Sequence, residues 1–124
     1  VRWLNELRAH LEGRRELGTA ELLDEFTGGA AVDERELLEC LQIFDEEYGV
    51  PPGRLRASDS MRLFTAEPES SVASWLFDRF AYEDRLSELS YHLASLRARR
   101  GLGNRFPPPE TLRDYVRLSL TESG

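Results

Sequence analysis

Lysine is absent from this chain of 124 residues; all 16 basic side chains are arginine. With abundant alanine, glycine and leucine, that bias reads as the trace of a GC-rich genome, although arginine also brings planar, bidentate donors that lysine cannot supply. A single cysteine, Cys40, excludes an intrachain disulfide and fits a reducing cytoplasm. Inside a helical pattern it reads as a small buried hydrophobe, not a reactive thiol. Only His10 and His92 are histidines, and neither has a second ligand one turn away, so no metal site is expected. Positive charge is also short. The 23 acidic residues leave a net charge of −7, which speaks against nucleic-acid binding, where phosphates demand a concentrated positive face. No apolar run is long enough to span a bilayer, and no basic stretch followed by an apolar one opens the chain, so neither membrane insertion nor secretion is expected. Gly28-Gly29 lacks the lysine and spacing of a phosphate-binding loop. Ser60, His92 and an acid can be drawn into a triad only as in almost any sequence, without a nucleophile elbow.

What is present is helical patterning at the size of one domain. Trp3, Leu4, Leu7 and Leu11 make one stripe over residues 2–12. Leu22, Leu23 and Phe26 predict a shorter helix over 20–27, with Thr19 as its N-cap and Gly28-Gly29 as its stop. Residues 1–30 are expected to form an N-terminal arm that packs on the main body or on another chain. The strongest segment starts at Asp33, which pairs with Glu36 in the spacing of a capping box. Leu37, Leu38, Leu41, Phe44 and Tyr48 share one face, and Gly49 with Pro51-Pro52-Gly53 ends the helix.

Residues 51–69 read as a loop with a short turn around Met61–Phe64, folded down because Leu55, Met61, Leu63 and Phe64 are too apolar to stay in water. A helix from Ser70 or Ser71 to about Tyr82 follows, burying Val72, Trp75, Leu76 and Phe80. A separate helix from about Asp84 to Arg100 carries Leu86, Leu89, Leu93 and Leu96. Arg97, Arg99 and Arg100 occupy its last turn, where cations meet the negative end of the dipole, and Gly101 caps it. Pro109 suits the first turn of a last helix that turns Leu112, Tyr115, Val116 and Ser119 inward. Nothing reads as a strand. The expected class is all-α.

Several side chains have both a plain and a functional reading. Asp45-Glu46-Glu47 is a solvated helix face or a docking surface for an arginine-rich partner. Trp3 is a core residue or an anchor for a partner. Ser60, Ser70 and Ser71 are N-caps or hydroxyls held at a helix N-terminus, where free N–H groups favour an attached phosphodiester.

At this point the chain resembles the acyl carrier protein family. Leu37–Tyr48 with Gly49-Val50 is similar to that family's first helix and its exit. Leu55-Arg56-Ala57-Ser58-Asp59-Ser60-Met61-Arg62-Leu63-Phe64 resembles the segment before the carrier serine. Ser70-Ser71-Val72 falls where the second helix begins, and Glu110-Thr111-Leu112-Arg113-Asp114-Tyr115-Val116 is similar to the closing helix. The likeness covers roughly residues 33–118, apart from an expanded stretch between about 84 and 106. It departs from the Gly-x-Asp-Ser-Leu sequence of carriers: Glu69-Ser70-Ser71-Val72 stands in place of Asp-Ser-Leu. Asp59-Ser60-Met61 keeps the triplet but comes 11 residues after Gly49, whereas Ser70 comes 21 after it, closer to the family interval.

The resemblance implies an acyl-carrier-like bundle of four main helices, residues 31–124, behind the N-terminal helical arm of residues 1–30. The expected function is non-enzymatic and cytoplasmic: binding a basic protein partner through Trp3, Glu46, Glu47, Glu67 and Glu69, without a cofactor. Exchange of the arm between chains would make a homo-oligomer. The alternative implied by the resemblance is a true carrier, with 4′-phosphopantetheine on Ser70 or Ser71 and Ser60 as the third candidate. A small helical enzyme is a further class to which no residue is assigned.

Overall fold

A computed structural model of the chain describes residues 2–28, 32–65 and 75–120, the side chains of residues 2–3 and 75–81 excepted. The described residues form six α-helices and one 3-10 turn, with no strand among them. The helices are α1 (Arg2–Glu12), α2 (Thr19–Thr27), α3 (Glu34–Tyr48), α4 (Arg62–Thr65), α5 (Trp75–Arg99) and α6 (Leu112–Leu120), and the 3-10 turn is Pro52–Arg54. The class is all-α.

Helix α3 is the central element, packed against both α5 and α6. Its apolar stripe delivers Leu37, Cys40, Leu41, Phe44 and Tyr48, all fully shielded from solvent. Phe44 lies at the centre of an aromatic group, with ring centroids 4.8 Å from Phe64 and 5.3 Å from Tyr115. Tyr48 closes edge-on to Phe64 at 5.0 Å. Buried phenols need acceptors. Tyr48 donates to the Phe64 carbonyl at 3.1 Å and Tyr115 to that of Leu89 at 3.3 Å. Burial raises both phenols above their ordinary range. It likewise pushes the Cys40 thiol up to about 12, which leaves Cys40 a packing residue without thiolate character at neutral pH.

The helix ends show how the segments are punctuated. Gly49 and Gly101 sit at φ 72° and 69°, the left-handed conformation that glycine adopts without a Cβ penalty. Asp33 caps α3 by accepting from the Arg35 N–H at 2.8 Å. The expected reciprocal bond from Glu36 is replaced by an ion pair with Arg100, which links the start of α3 to the end of α5. Thr19 is the first residue of α2, not its cap; Gly18 takes that place and donates its N–H to Glu21 Oε1 at 3.2 Å. Pro109 lies ahead of α6, whose start is set by Thr111 and Asp114: the Asp114 N–H donates to Thr111 Oγ1 at 3.3 Å, and the Thr111 N–H to Asp114 Oδ2 at 3.2 Å.

One expected boundary is missing. From Trp75 on, the helix expected to end near Tyr82 and the one expected from Asp84 are one continuous helix, α5, of 25 residues. The expected start at Ser70 or Ser71, Val72, and the side chains of Trp75, Leu76 and Phe80 lie outside the described residues. Tyr82-Glu83-Asp84 contains a cap-forming acid but no Gly or Pro, and a cap residue alone does not stop a helix whose backbone bonds can continue. The arginines in its last turn also serve other elements. Arg97 is buried; its Nε donates to the Gly103 carbonyl at 2.9 Å and its Nη1 to that of Leu118 at 2.8 Å, while its plane covers the Phe106 ring. Arg99 pairs with Glu39 of α3.

The tract after α3 lies across the bundle. Leu55, Ala57 and Phe64 are fully buried, and Met61 nearly so. Its carbonyls meet the first N–H groups of α6, which would otherwise lack partners. Leu112 donates to Asp59 at 2.9 Å and Arg113 to Ala57 at 3.0 Å. The residues before α6 return the contact, since the Glu110 carbonyl accepts from the Met61 N–H at 2.8 Å and Thr111 bridges to Ser60.

The N-terminal helices join the same core through Leu4, Leu7, Leu11, Leu22 and Phe26. Their connection is tied down at Gly53, whose carbonyl accepts from the Leu17 N–H at 2.9 Å. A Cβ at Gly53 would come within 2.7 Å of the Leu17 carbonyl, so backbone proximity requires glycine here. Arg14 makes the deepest tie. Its guanidinium grips buried Asp59 with two bonds of 2.7 Å, and Asp59 also accepts from the Arg56 N–H at 2.8 Å.

Candidate interaction surface

Of the residues expected to bind a partner or carry a cofactor, Ser60, Glu46 and Glu47 fall in described positions with described side chains. Trp3 belongs to α1, but its side chain is outside the described residues, as are Glu67, Glu69, Ser70 and Ser71.

Ser60 is exposed at the start of α4, and its Oγ accepts from the Arg62 N–H at 3.2 Å. That is a local side-chain turn ahead of a helix of only four residues, which begins at Arg62. Asp59 beside it points inward to Arg14, so the local Asp-Ser pair divides between a buried tie and a surface hydroxyl. Met61, the next residue, lines an apolar cleft of about 400 Å³ between α4, α5, α6 and the Pro107–Pro109 run. Leu86, Leu89, Leu93, Phe106 and Tyr115 supply most of its remaining wall.

Glu46 and Glu47 end α3, where α5 passes. Glu46 is exposed and Glu47 half-buried. The fold brings Asp84 and Glu88 of α5 to the same place, and these two were not visible as site residues in the sequence. Arg85 crosses the gap, but its Nε–H donates to the Glu47 carbonyl at 2.6 Å and so ties backbone to helix. The Glu47 carboxyl is held above its ordinary range, first by partial burial and then by the negative charge of Glu88, with Asp84 and Glu46 adding to it. Arg85 offsets this only in part. Like charges gathered at a surface destabilise the free fold and favour a cationic partner.

The sign of the Glu47 effect gives a pH test. A carboxyl whose folded pKa is raised favours the protonated form in the folded state, so its contribution to stability is lost as pH rises through that raised range. Glu47→Gln is therefore expected to stabilise the protein at pH 7 by about 0.5 kcal/mol, the scale of surface charge pairs. The gain should vanish in acid, where wild-type Glu47 is neutral as well. Urea unfolding of both proteins across pH checks it.

Among the described residues, no group of three or more His, Cys, Asp or Glu side chains is placed to hold a metal ion. His10 is exposed on α1; His92 on α5 lies 3.2 Å from the Glu39 carbonyl. No described helix is long and apolar enough to cross a membrane. Comparison with family models, curated proteins and solved structures finds no match to this chain.

Proposed function

We propose that this chain is a non-enzymatic, acyl-carrier-like helical module that binds a basic protein partner through the acidic end formed by α3 and α5. The arrangement that carries this reading is the gathering of Glu46, Glu47, Asp84 and Glu88 where α3 and α5 meet; burial first, and the charge of Glu88 next, hold the Glu47 carboxyl above its ordinary range there. Carboxylates that repel one another are kept together on an accessible surface, where a cationic partner would relieve the repulsion. Arginine or lysine side chains of that partner would meet Glu46 and Glu88 directly and lower the Glu47 pKa toward its ordinary value. Association should consequently be fast at low salt and weaken steeply as salt rises.

The test pairs wild type with a Glu46→Lys/Glu88→Lys variant, each immobilised and exposed to extract of the native host. The reading expects a specific protein retained by wild type, released by salt and absent from the variant. Equal retention of the same proteins by both baits would contradict it.

A second reading has its own observation. The exposed Ser60 hydroxyl adjoins Met61, which lines the apolar cleft. This supports a carrier in which a phosphopantetheine arm on Ser60 reaches toward that cleft; Ser70 and Ser71 are the alternative attachment points. Intact mass after incubation with a broad phosphopantetheinyl transferase and coenzyme A decides it. A carrier gains the mass of one arm, lost on Ser60→Ala if Ser60 is the acceptor, and an unchanged mass removes the reading.

A further inference from the structure

Two arginines from different elements share a pocket of about 220 Å³ at the corner where α3 ends and the 3-10 turn begins. Arg8 comes from α1 and Arg54 from the turn, with Leu11, Val50 and Pro51 as apolar walls and Glu12 at the rim. Several arginines of this chain bond backbone carbonyls in place of carboxylates, Arg56 and Arg97 among them, and Arg8 and Arg54 do the same. Among the described residues, neither Arg8 nor Arg54 makes a salt bridge, whereas Arg14, Arg15, Arg99, Arg100 and Arg117 all do.

Their bonds leave donors unused. Arg8 gives only its Nε–H, at 2.9 Å, to the Tyr48 carbonyl. Arg54 gives Nη1 to the Glu12 carbonyl, while its Nε is buried and has no partner. A buried unpaired donor of this kind is costly and calls for an acceptor. The negative end of α3 does not supply one. The carbonyls of Phe44, Asp45, Glu47 and Tyr48 are already met by the Val50 and Gly49 N–H groups, by Arg85 and by Arg8.

We propose that the Arg8–Arg54 pocket binds a small oxyanion, such as phosphate or a carboxylate group, held between the two guanidiniums. Planar forks from two different elements suit an ion with at least two terminal oxygens, and the pair of positive charges outweighs Glu12. Occupancy would tie α1 to the α3 corner and so strengthen the docking of the N-terminal helices. This site is separate from the acidic end of α3 and α5 and does not depend on it.

The experiment is a titration of the ¹⁵N-labelled chain with sodium phosphate, sodium acetate or sodium chloride at matched ionic strength. The proposal expects saturable shifts of the Arg8 and Arg54 Nε–H signals and of the Gly49 and Val50 amides with phosphate, acetate or both. The arm that responds names the source of the oxyanion. Unfolding temperature should rise by about 5 °C once the binding ion is tenfold above its Kd. Arg8→Gln and Arg54→Gln should each abolish that rise. Because either change could loosen the fold, the wild-type signals carry the decision. An equal response to chloride, shifts spread over other arginines without saturation, or no shift at all would overturn the proposal.

Discussion

Asp59→Ala is expected to lower the free energy of unfolding by about 3 kcal/mol, the low end of the range for breaking a buried ion pair. The low end applies because the Arg14 side chain keeps 25% of its exposure, while that of Asp59 keeps only 5%. Removing the carboxylate leaves the Arg14 guanidinium with the Arg54 carbonyl alone and also frees the Arg56 N–H, which donates to the same group at 2.8 Å. The damage would be local at first. The N-terminal connection should detach from the tract across the bundle, so amides of α1 and α2 should exchange faster than those of α3. Arg14→Ala should cost at least as much, because it leaves the carboxylate of Asp59, the more buried partner, without its cation. The double variant should fall short of the sum of the two, because both single changes break one interaction. Urea unfolding of the three variants gives the cycle.

Phe44→Ala is expected to cost about 3–5 kcal/mol, the range for deleting a buried aromatic ring. Phe44 has no solvent exposure, and its ring holds those of Phe64 and Tyr115 at contact distance. Truncation would therefore leave a cavity at the junction of α3, α4 and α6 that the surrounding helices can close only by moving together. Against a typical total of about 5–15 kcal/mol, such a loss leaves the domain marginal at physiological temperature. Phe44→Leu should recover much of it by refilling volume without the ring contacts. Thermal unfolding monitored by circular dichroism orders the three proteins: wild type, then leucine, then alanine.

Much of the helical framework is legible in the residues alone, because α3 and α6 combine a clear apolar stripe with polar caps and short breaks. The apolar residues Leu55, Met61 and Phe64 likewise betray a tract that must fold inward. What the sequence conceals is what depends on distance along the chain. Arg14 and Asp59 are 45 residues apart, and no local spacing marks them as partners. The same holds for Arg97, which reads as a cation at its own helix end yet bonds the carbonyls of Gly103 and Leu118. The continuity of α5 through Tyr82–Asp84 was hidden for another reason: cap-forming residues are also tolerated on the solvent side of a helix.

The candidate site divides along the same line. Glu46 and Glu47 stand out as an acidic run at a helix end. Asp84 and Glu88 read only as the polar side of a leucine-striped helix, and become part of the site when α5 packs beside α3. Ser60 shows how a short motif divides in the fold: its hydroxyl stays at the surface, while its neighbour Asp59 is taken up by Arg14.

Hydrogen exchange of the protein with and without its captured basic partner tests the central claim most directly. The account predicts that protection appears on binding in residues 44–48 of α3 and 83–88 of α5 and disappears when salt releases the partner. Protection confined to other surfaces, with both of these segments exchanging at unchanged rates, would contradict it.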